Sequence, residues 1–274
     1  MAASIYVGEL EIKGLSDGIL RTSLDNLIGM DRRRAEDLVG RTENGSFFIP
    51  VNTFLIQRDG NTILIDAGAG NTMQPTLGRL PANLRAAGID PSAITHVVLT
   101  HIHPDHANGL VDDAGAPHYP NAEIIVHEKE AAFWLAPGPG DEPENVRRNR
   151  ARAKINLTPY GDRLRRIRDG EEILGLTPIP APGHTPGHTC WRIASGRDAL
   201  VAWGDLVHFS AIQISHPETA VSYDLDKDLA RASRLRLLDM IATDRLAIAG
   251  AHVDAPGFGT IVRRNGRYVF EPAA

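Results

Sequence analysis

Cysteine is nearly absent: Cys190 is the only one in 274 residues. A single thiol excludes an internal disulfide and fits a reducing compartment. An excess of positive charge is also missing, because 29 Lys and Arg face 34 Asp and Glu for a net charge of −5. Broad electrostatic attraction to nucleic acid is therefore not expected. No apolar run reaches the length of a membrane span. The opening Met1-Ala2-Ala3-Ser4-Ile5-Tyr6 lacks a basic segment followed by a cleavable hydrophobic core, so a cytoplasmic location is expected. No Gly-x-Ser-x-Gly elbow occurs, and Cys190 sits between Thr189 and Trp191 in a strand-like stretch, where it reads as a small core residue rather than a nucleophile.

What is present is enough apolar material for a large core, 42% of residues, punctuated by 26 Gly and 18 Pro. Strand-like runs alternate with helical patterns, which predicts an α/β architecture in one domain. Helices are predicted over Thr76–Gly88, where Leu77, Leu80 and Leu84 recur at helical spacing around Pro81, and over Glu128–Ala136. A third is predicted over Asp226–Ile241, with Leu229, Leu235, Leu237 and Leu238, and Asp226 or Asp228 near its amino-terminal cap. Strands are predicted over Ile94–Leu99 and Glu123–His127.

Chemistry concentrates in Thr100-His101-Ile102-His103-Pro104-Asp105-His106, directly after the run Ile94–Leu99. Three imidazoles and a carboxylate in six residues are the nitrogen and oxygen donors that zinc takes. Four donors cannot fill two metal shells, so other loops must contribute. Pro182-Gly183-His184-Thr185-Pro186-Gly187-His188-Thr189, Trp203-Gly204-Asp205 and Gly250-Ala251-His252 repeat one pattern. In each, an apolar stretch (Ile173–Ile179, Ala199–Trp203, Leu246–Ala249) runs into a glycine-containing turn that presents a ligand-type residue.

His-x-His-x-Asp-His, then Gly-His, Gly-Asp and a last His, in this order from about Val51 to Phe270, resembles the metallo-β-lactamase-fold hydrolase superfamily. Asn61-Thr62-Ile63-Leu64-Ile65-Asp66-Ala67-Gly68 is similar to its early strand and Asp-x-Gly turn. The resemblance implies a four-layer αββα sandwich, a single domain over 1–274 with similar halves at roughly 1–140 and 160–274. It also implies two divalent metal ions per chain, zinc by preference. His101, His103 and His184 would hold one, Asp105, His106 and His252 the other, and Asp205 would bridge them. In His184-Thr185-Pro186-Gly187-His188 the superfamily uses the first histidine, leaving His188 as a packed structural residue. Asp66 would orient a ligand or the adjoining loop rather than bind metal.

The implied reaction is hydrolysis of a carbonyl or phosphoryl ester by hydroxide formed from a water shared between two metals, with Asp105 passing a proton. Both metal-loop histidines are kept and Asp205 stands where some relatives carry cysteine, which disfavours the flavo-diiron, mononuclear persulfide-oxidising and cysteine-ligand lactamase branches. Three residues after Asp205, where acyl-homoserine lactonases often place tyrosine, stands His208. It either donates a hydrogen bond to substrate or serves a nearby backbone carbonyl. Ala211–Glu218 and Gly250–Gly259 look like the methyl parathion hydrolase branch, implying a neutral, fairly apolar substrate: an organophosphate triester, aryl ester or lactone. A narrow lactonase or thioester hydrolase is the alternative within enzymes, and a non-catalytic metal-binding module the alternative outside them.

Pro137-Gly138-Pro139-Gly140-Asp141-Glu142-Pro143 breaks the composition and leads into Asn145–Lys154, with Arg147, Arg148, Arg150 and Arg152. The segment 137–158 is either a cap that shapes access to the metals or a solvated basic helix. A local arginine patch there would suit an acidic substrate. The stretch Ile19–Arg41 either reaches over the site, takes part in a homodimer contact, or packs on one sheet. His216 is expected in a loop, and His96, His118 and His127 as structural or surface residues.

Overall fold

The computed structural model describes residues 3–40 and 46–273; of the stretch Ile19–Arg41, Arg41 falls outside that range. The first part of the chain runs through β1 (Ala3–Val7), β2 (Leu10–Ser23), β3 (Leu27–Ile28), α1 (Arg32–Val39), β4 (Ser46–Arg58), β5 (Asn61–Ile65), α2 (Leu80–Ala86), β6 (His96–Val98), α3 (Pro104–Ala107), β7 (Glu123–His127), α4 (Glu128–Leu135), α5 (Glu144–Leu157) and β8 (Leu164–Ile167). The second part runs through β9 (Leu176–Pro180), β10 (Thr189–Ser195), β11 (Asp198–Ala202), α6 (Ser210–Gln213), β12 (Ala220–Val221), α7 (Lys227–Asp244), β13 (Ala247–Ala249), β14 (Phe258–Arg264) and β15 (Arg267–Pro272).

Seven strands form one sheet in the order β1-β2-β4-β5-β6-β7-β8, and six form a second in the order β15-β14-β13-β11-β10-β9. In the first, β1 to β5 pair antiparallel and β5 to β8 parallel. In the second only β11 and β13 are parallel. A small ladder, β3 with β12, ties the amino-terminal segment to the loop after Asp205.

Side-chain alternation builds four layers. Ile63, Ile65, Val98 and Ile125 point into the space between the sheets, where they meet Trp191, Ile193, Leu200, Ala202 and Phe258. Leu64, Val97, Ile124 and Val126 point the other way, beneath Leu80 and Leu84 of α2, Trp134 of α4 and Leu157 of α5. Both faces are covered, so these strands read as unbroken apolar runs rather than alternating ones. On the far side, Leu237, Leu238 and Ile241 of α7 pack on Cys190, Val201, Ile248 and Ile261. Each such buried side chain contributes about 1.5–3 kcal/mol. The expected αββα sandwich is the observed fold.

Several boundaries differ from expectation. The helix expected from Thr76 is α2 and starts at Leu80, with Pro81 in its first turn. Residues before it form a loop held by the buried Asp17 carboxylate, which accepts the Ala69, Gly78 and Leu80 N–H groups. In α7 the Asp226 carboxylate caps Leu229 N–H at 2.9 Å, but Leu229 and Leu235 are exposed and only Leu237 and Leu238 of the four leucines are buried. The passage between sheets falls at 168–175, not within 137–158, because Leu164–Ile167 still pairs parallel with β7. Residues 137–158 instead make an excursion from the first sheet, and Arg150, which the solvated-helix alternative would expose, is buried against Glu142 at 2.9 Å.

Candidate metal centre

Every ligand-type residue leaves the carboxyl end of a strand at one edge of the sandwich. Asp66 follows β5, the loop 100–106 follows β6, residues 181–188 join β9 to β10, Asp205 follows β11, and His252 follows β13. Backbone geometry that other residues resist is needed at two of these turns. Gly183 has φ +125°, and an added Cβ would stand 2.0 Å from Ala230 N. Gly204 has φ +54°, and its Cβ would stand 2.7 Å from His188 Nε2. Glycine alone fits such left-handed, crowded positions.

The Asp205 carboxylate lies at the centre. Its Oδ2 faces His101 Nε2 at 3.6 Å and His184 Nε2 at 3.2 Å. Its Oδ1 faces His106 Nε2 at 2.9 Å and His252 Nε2 at 3.1 Å. His103 presents Nδ1, 2.8 Å from His184 Nε2. Asp105 Oδ2 lies 3.6 Å from His106 Nε2 and 3.4 Å from His252 Nε2. Two groups result, His101, His103, His184 and Asp205, and Asp105, His106, Asp205 and His252, each with ligand atoms within 4.8 Å of one another. Donors bound at 2.0–2.1 Å in a tetrahedral shell are about 3.3 Å apart, close to the spacings seen.

Buried polar atoms normally have partners, yet His101 Nε2, His106 Nε2, His252 Nε2 and Asp205 Oδ1 make no hydrogen bond here. The opposite side of each ring is engaged. His106 Nδ1 donates to Asp66 Oδ2 at 2.8 Å, His184 Nδ1 to Asp224 Oδ1 at 3.0 Å, and His252 Nδ1 to the Pro50 carbonyl at 2.7 Å. These bonds hold the proton on Nδ1 and aim Nε2 toward Asp205, so that loss of any Nε2 proton exposes its lone pair there, as metal-binding histidines require. The residues therefore fit a pair of divalent cations.

Without a cation, the charges divide unevenly. Burial pushes His101 and His103 well below the ordinary imidazole range, aided by the neighbouring histidines. Burial also opposes charge on His106, His184 and His252, but adjacent carboxylates outweigh it. His106 is raised well above its usual value, His184 to about 9 and His252 to about 10. Asp105 and Asp205 are held well below the usual carboxylate range by the imidazoles despite burial.

His188 is buried and pushed down to about 3 by burial. Its Nδ1 donates to the Ala181 carbonyl at 3.1 Å and its Nε2 accepts the Asp205 N–H at 3.0 Å, so it hangs the central carboxylate by its backbone. Asp66, at φ +62°, also accepts the Thr100 N–H. His208 is buried, with Nε2 2.9 Å from Asp205 Oδ2, and no backbone carbonyl takes its ring N–H among the described residues. His216 binds Arg34 at 2.8 Å, outside the cluster. His96, His118 and His127 bond to Thr95, the Gly109 carbonyl and Asp169.

Two residues went unforeseen. Asp224, in the loop before α7, orients His184. Glu130, fully buried in α4, accepts the Ile102 N–H, the Trp134 indole N–H, the Thr185 hydroxyl and the Gly187 N–H, joining two ligand loops. Neither sits at a strand end or in a glycine turn, so no local pattern marks them.

The cluster forms the floor of a cavity of about 760 Å³. His103, Asp105, His184, Asp205, His208 and His252 line its base. Leu20, Arg21 and Thr22 of β2 with Ile49 of β4 form one wall, and Tyr223 and Leu225 another. Asn145, Val146, Arg148, Asn149 and Arg152 of α5 also line the cavity.

A family model described as the metallo-beta-lactamase superfamily matches residues 47–252. A crystal structure of the hydrolase AbOPH, in the beta lactamase superfamily, superposes with a TM-score of 0.95 at 30% identity over 100% of this chain and 97% of that one. AidC, a dizinc quorum-quenching lactonase in complex with a product homoserine, superposes with a TM-score of 0.92 at 26% identity, again over 100% and 97%. The N-acyl homoserine lactonase AiiB of Agrobacterium fabrum is 33% identical over 36% of this chain and 41% of its own. The chain spans about half the length or less of these first curated relatives.

Proposed function

Because the chain belongs to the metallo-β-lactamase superfamily of metal-dependent hydrolases, we propose that it opens an ester-type bond, in a lactone, aryl ester or phosphotriester, at a dinuclear zinc centre. The observation that carries this reading is the Asp205 carboxylate, split between two histidine groups on the floor of an open cavity. His101, His103 and His184 would hold one ion, Asp105, His106 and His252 the second, with Asp205 between them. The shared apolar layer between the sheets supports reading the chain as one domain of two halves. When bound, the two ions supply Lewis acidity to the scissile oxygen and lower the pKa of water from about 15.7 toward roughly 7.

The chain's own residues do the rest. Asp105, whose side chain is 12% exposed at the cavity floor, takes the proton released as water attacks and passes it to the leaving oxygen. His208, in the same cavity beside Asp205 and with its charged form disfavoured by burial, donates a ring N–H to the substrate carbonyl or phosphoryl oxygen. No side-chain nucleophile takes part. The Cys190 thiol is buried, pushed up by burial, and bonded to the Trp203 carbonyl at 3.3 Å. Val146, Leu20, Ile49 and Leu225 exclude water around the apolar part of the substrate.

The test is hydrolysis of an N-acyl homoserine lactone, an aryl ester and a phosphotriester by chelator-treated and zinc-reloaded protein, alongside His103→Ala and Asp205→Ala. Reloading restores turnover of at least one substrate, and both variants lose bound metal and turnover together. Full turnover by either variant without metal overturns the reading. Two bound ions with no hydrolysis of any of the three marks the chain as a binding module instead.

A further inference from the structure

The wall that α5 gives to the cavity carries charge that nothing among the described residues neutralises. Asn145, Arg148, Asn149 and Arg152 recur at three- and four-residue spacing, which puts them on one helical face, and all four line the cavity. The neighbouring stripe of the same helix, Val146, Arg150, Ala153 and Leu157, is buried in the core. Arg150 on that stripe has its carboxylate, Glu142. Among the described residues Arg148 and Arg152 have no carboxylate within ion-pair distance and no hydrogen bond, and Arg152 Nε is buried without a partner. A third guanidinium, Arg21, lines the opposite wall, its Nε already given to Ser46 Oγ at 2.8 Å. Among the described residues the only carboxylates lining the cavity are Asp105 and Asp205, both held by the histidines at its floor.

Guanidinium groups without counter-ions in a recess are recognition elements for planar anions, because their N–H donors match a carboxylate's two oxygens. We propose that Arg148 and Arg152 form an anion subsite, and that the substrate is an ester or lactone bearing a carboxylate on the part remote from the scissile bond. This inference rests on the hydrolase reading for the site of cleavage, and departs from the neutral, fairly apolar substrate that the branch resemblance implied. Asn145 and Asn149 supply neutral donors on the same face, and Leu20, Ile49 and Val146 hold the connecting carbon chain. The arginines position the substrate and select it.

The experiment compares two aryl esters of equal length, 4-nitrophenyl valerate and mono-4-nitrophenyl glutarate, which differ by one terminal carboxylate. The wild-type protein is expected to favour the glutarate ester by at least about tenfold in kcat/KM, the scale of a charge-assisted hydrogen bond. In Arg148→Gln and Arg152→Gln the ratio of the two constants falls toward one, chiefly through KM of the anionic ester. In the double variant R148E/R152E the preference reverses in favour of the neutral ester. Glutarate itself binds the wild-type protein in calorimetry and binds each variant more weakly. Metal content by elemental analysis confirms that the variants keep the centre. A wild-type ratio near one, or a ratio unmoved by charge reversal, overturns the proposal. If neither aryl ester is cleaved, the hydrolase reading is decided by the lactone and phosphotriester assays, and glutarate binding still decides the subsite: loss of binding in R148E/R152E upholds it, and equal or absent binding overturns it.

Discussion

Replacing Glu130 by glutamine tests whether one buried carboxylate holds the ligand loops together. Glu130 is 0% exposed. Its Oε1 accepts the Ile102 N–H at 3.0 Å and the Trp134 Nε1–H at 2.6 Å, and its Oε2 accepts the Thr185 hydroxyl at 2.7 Å and the Gly187 N–H at 3.0 Å. Burial raises its pKa, and the four donors oppose that rise. Glutamine keeps the shape but has one acceptor oxygen. With that oxygen toward Ile102 and Trp134, its amide faces Thr185, whose hydroxyl can turn to accept, and Gly187, whose N–H cannot. The flipped orientation orphans two N–H groups and is worse. One orphaned buried donor costs about 1–3 kcal/mol, and loss of a buried charge offsets part of this, so about 2 kcal/mol is expected. For a chain of this size that lowers Tm by roughly 4–8 °C. Ile102 lies between two ligands and Thr185 adjoins a third, so the affinity for metal should fall at least about tenfold, as for other supports of metal ligands. Thermal melts of metal-free and zinc-loaded protein measure the first quantity, and competition with a chromophoric chelator the second. Unchanged metal affinity in a folded Glu130→Gln protein would refute the coupling of the two loops through this residue.

Asp224→Asn should weaken zinc by about 10–100-fold, because the His184 Nδ1–H loses a charged acceptor and Arg234 Nη2, 3.7 Å away, loses its carboxylate; chelator competition reading wild-type affinity would contradict it. The metal-free chain should lose stability as pH rises. His184 and His252 have folded pKa values of about 9 and 10, above the unfolded value of about 6.5. Their contribution is complete below pH 6.5 and is lost as pH climbs through 9–10. Urea midpoints rising over that interval would contradict the assignment. For the same reason zinc loading at pH 7 should release about three protons, from His106, His184 and His252, measured calorimetrically in buffers of different ionisation enthalpy.

The candidate metal cluster was legible because its donors sit where a short apolar run ends, four of them packed into 100–106 and the others, His184, Asp205 and His252, in glycine turns. Asp205 and His252 are separated by dozens of residues, yet parallel pairing of β11 with β13 brings their strand ends side by side. Residues selected by packing left no such mark. Glu130 looks like any exposed glutamate on a helix until the turn at Gly187 folds over it. Leu20 to Thr22 enter the cavity wall only because β2 pairs with β4 across a bulge between Ser16 and Gly18. The start of α2 was misplaced because Asp17, some sixty residues upstream, holds residues 69–80 in a loop against their helical spacing.

The excursion of α5 from the first sheet separates selection from cleavage along the chain. Its anchor Arg150, held on Glu142, lies off the stripe that looks into the recess, whereas Asn156, whose Nδ2 donates to Asn108 Oδ1 at 2.8 Å, continues that stripe one turn beyond Arg152. Positions 145, 148, 149 and 152 make neither of these bonds, so they can change without removing them or altering any turn that carries a donor. Such a layout lets one scaffold exchange its clientele through four codons, which makes that quartet the natural place to begin retargeting the enzyme.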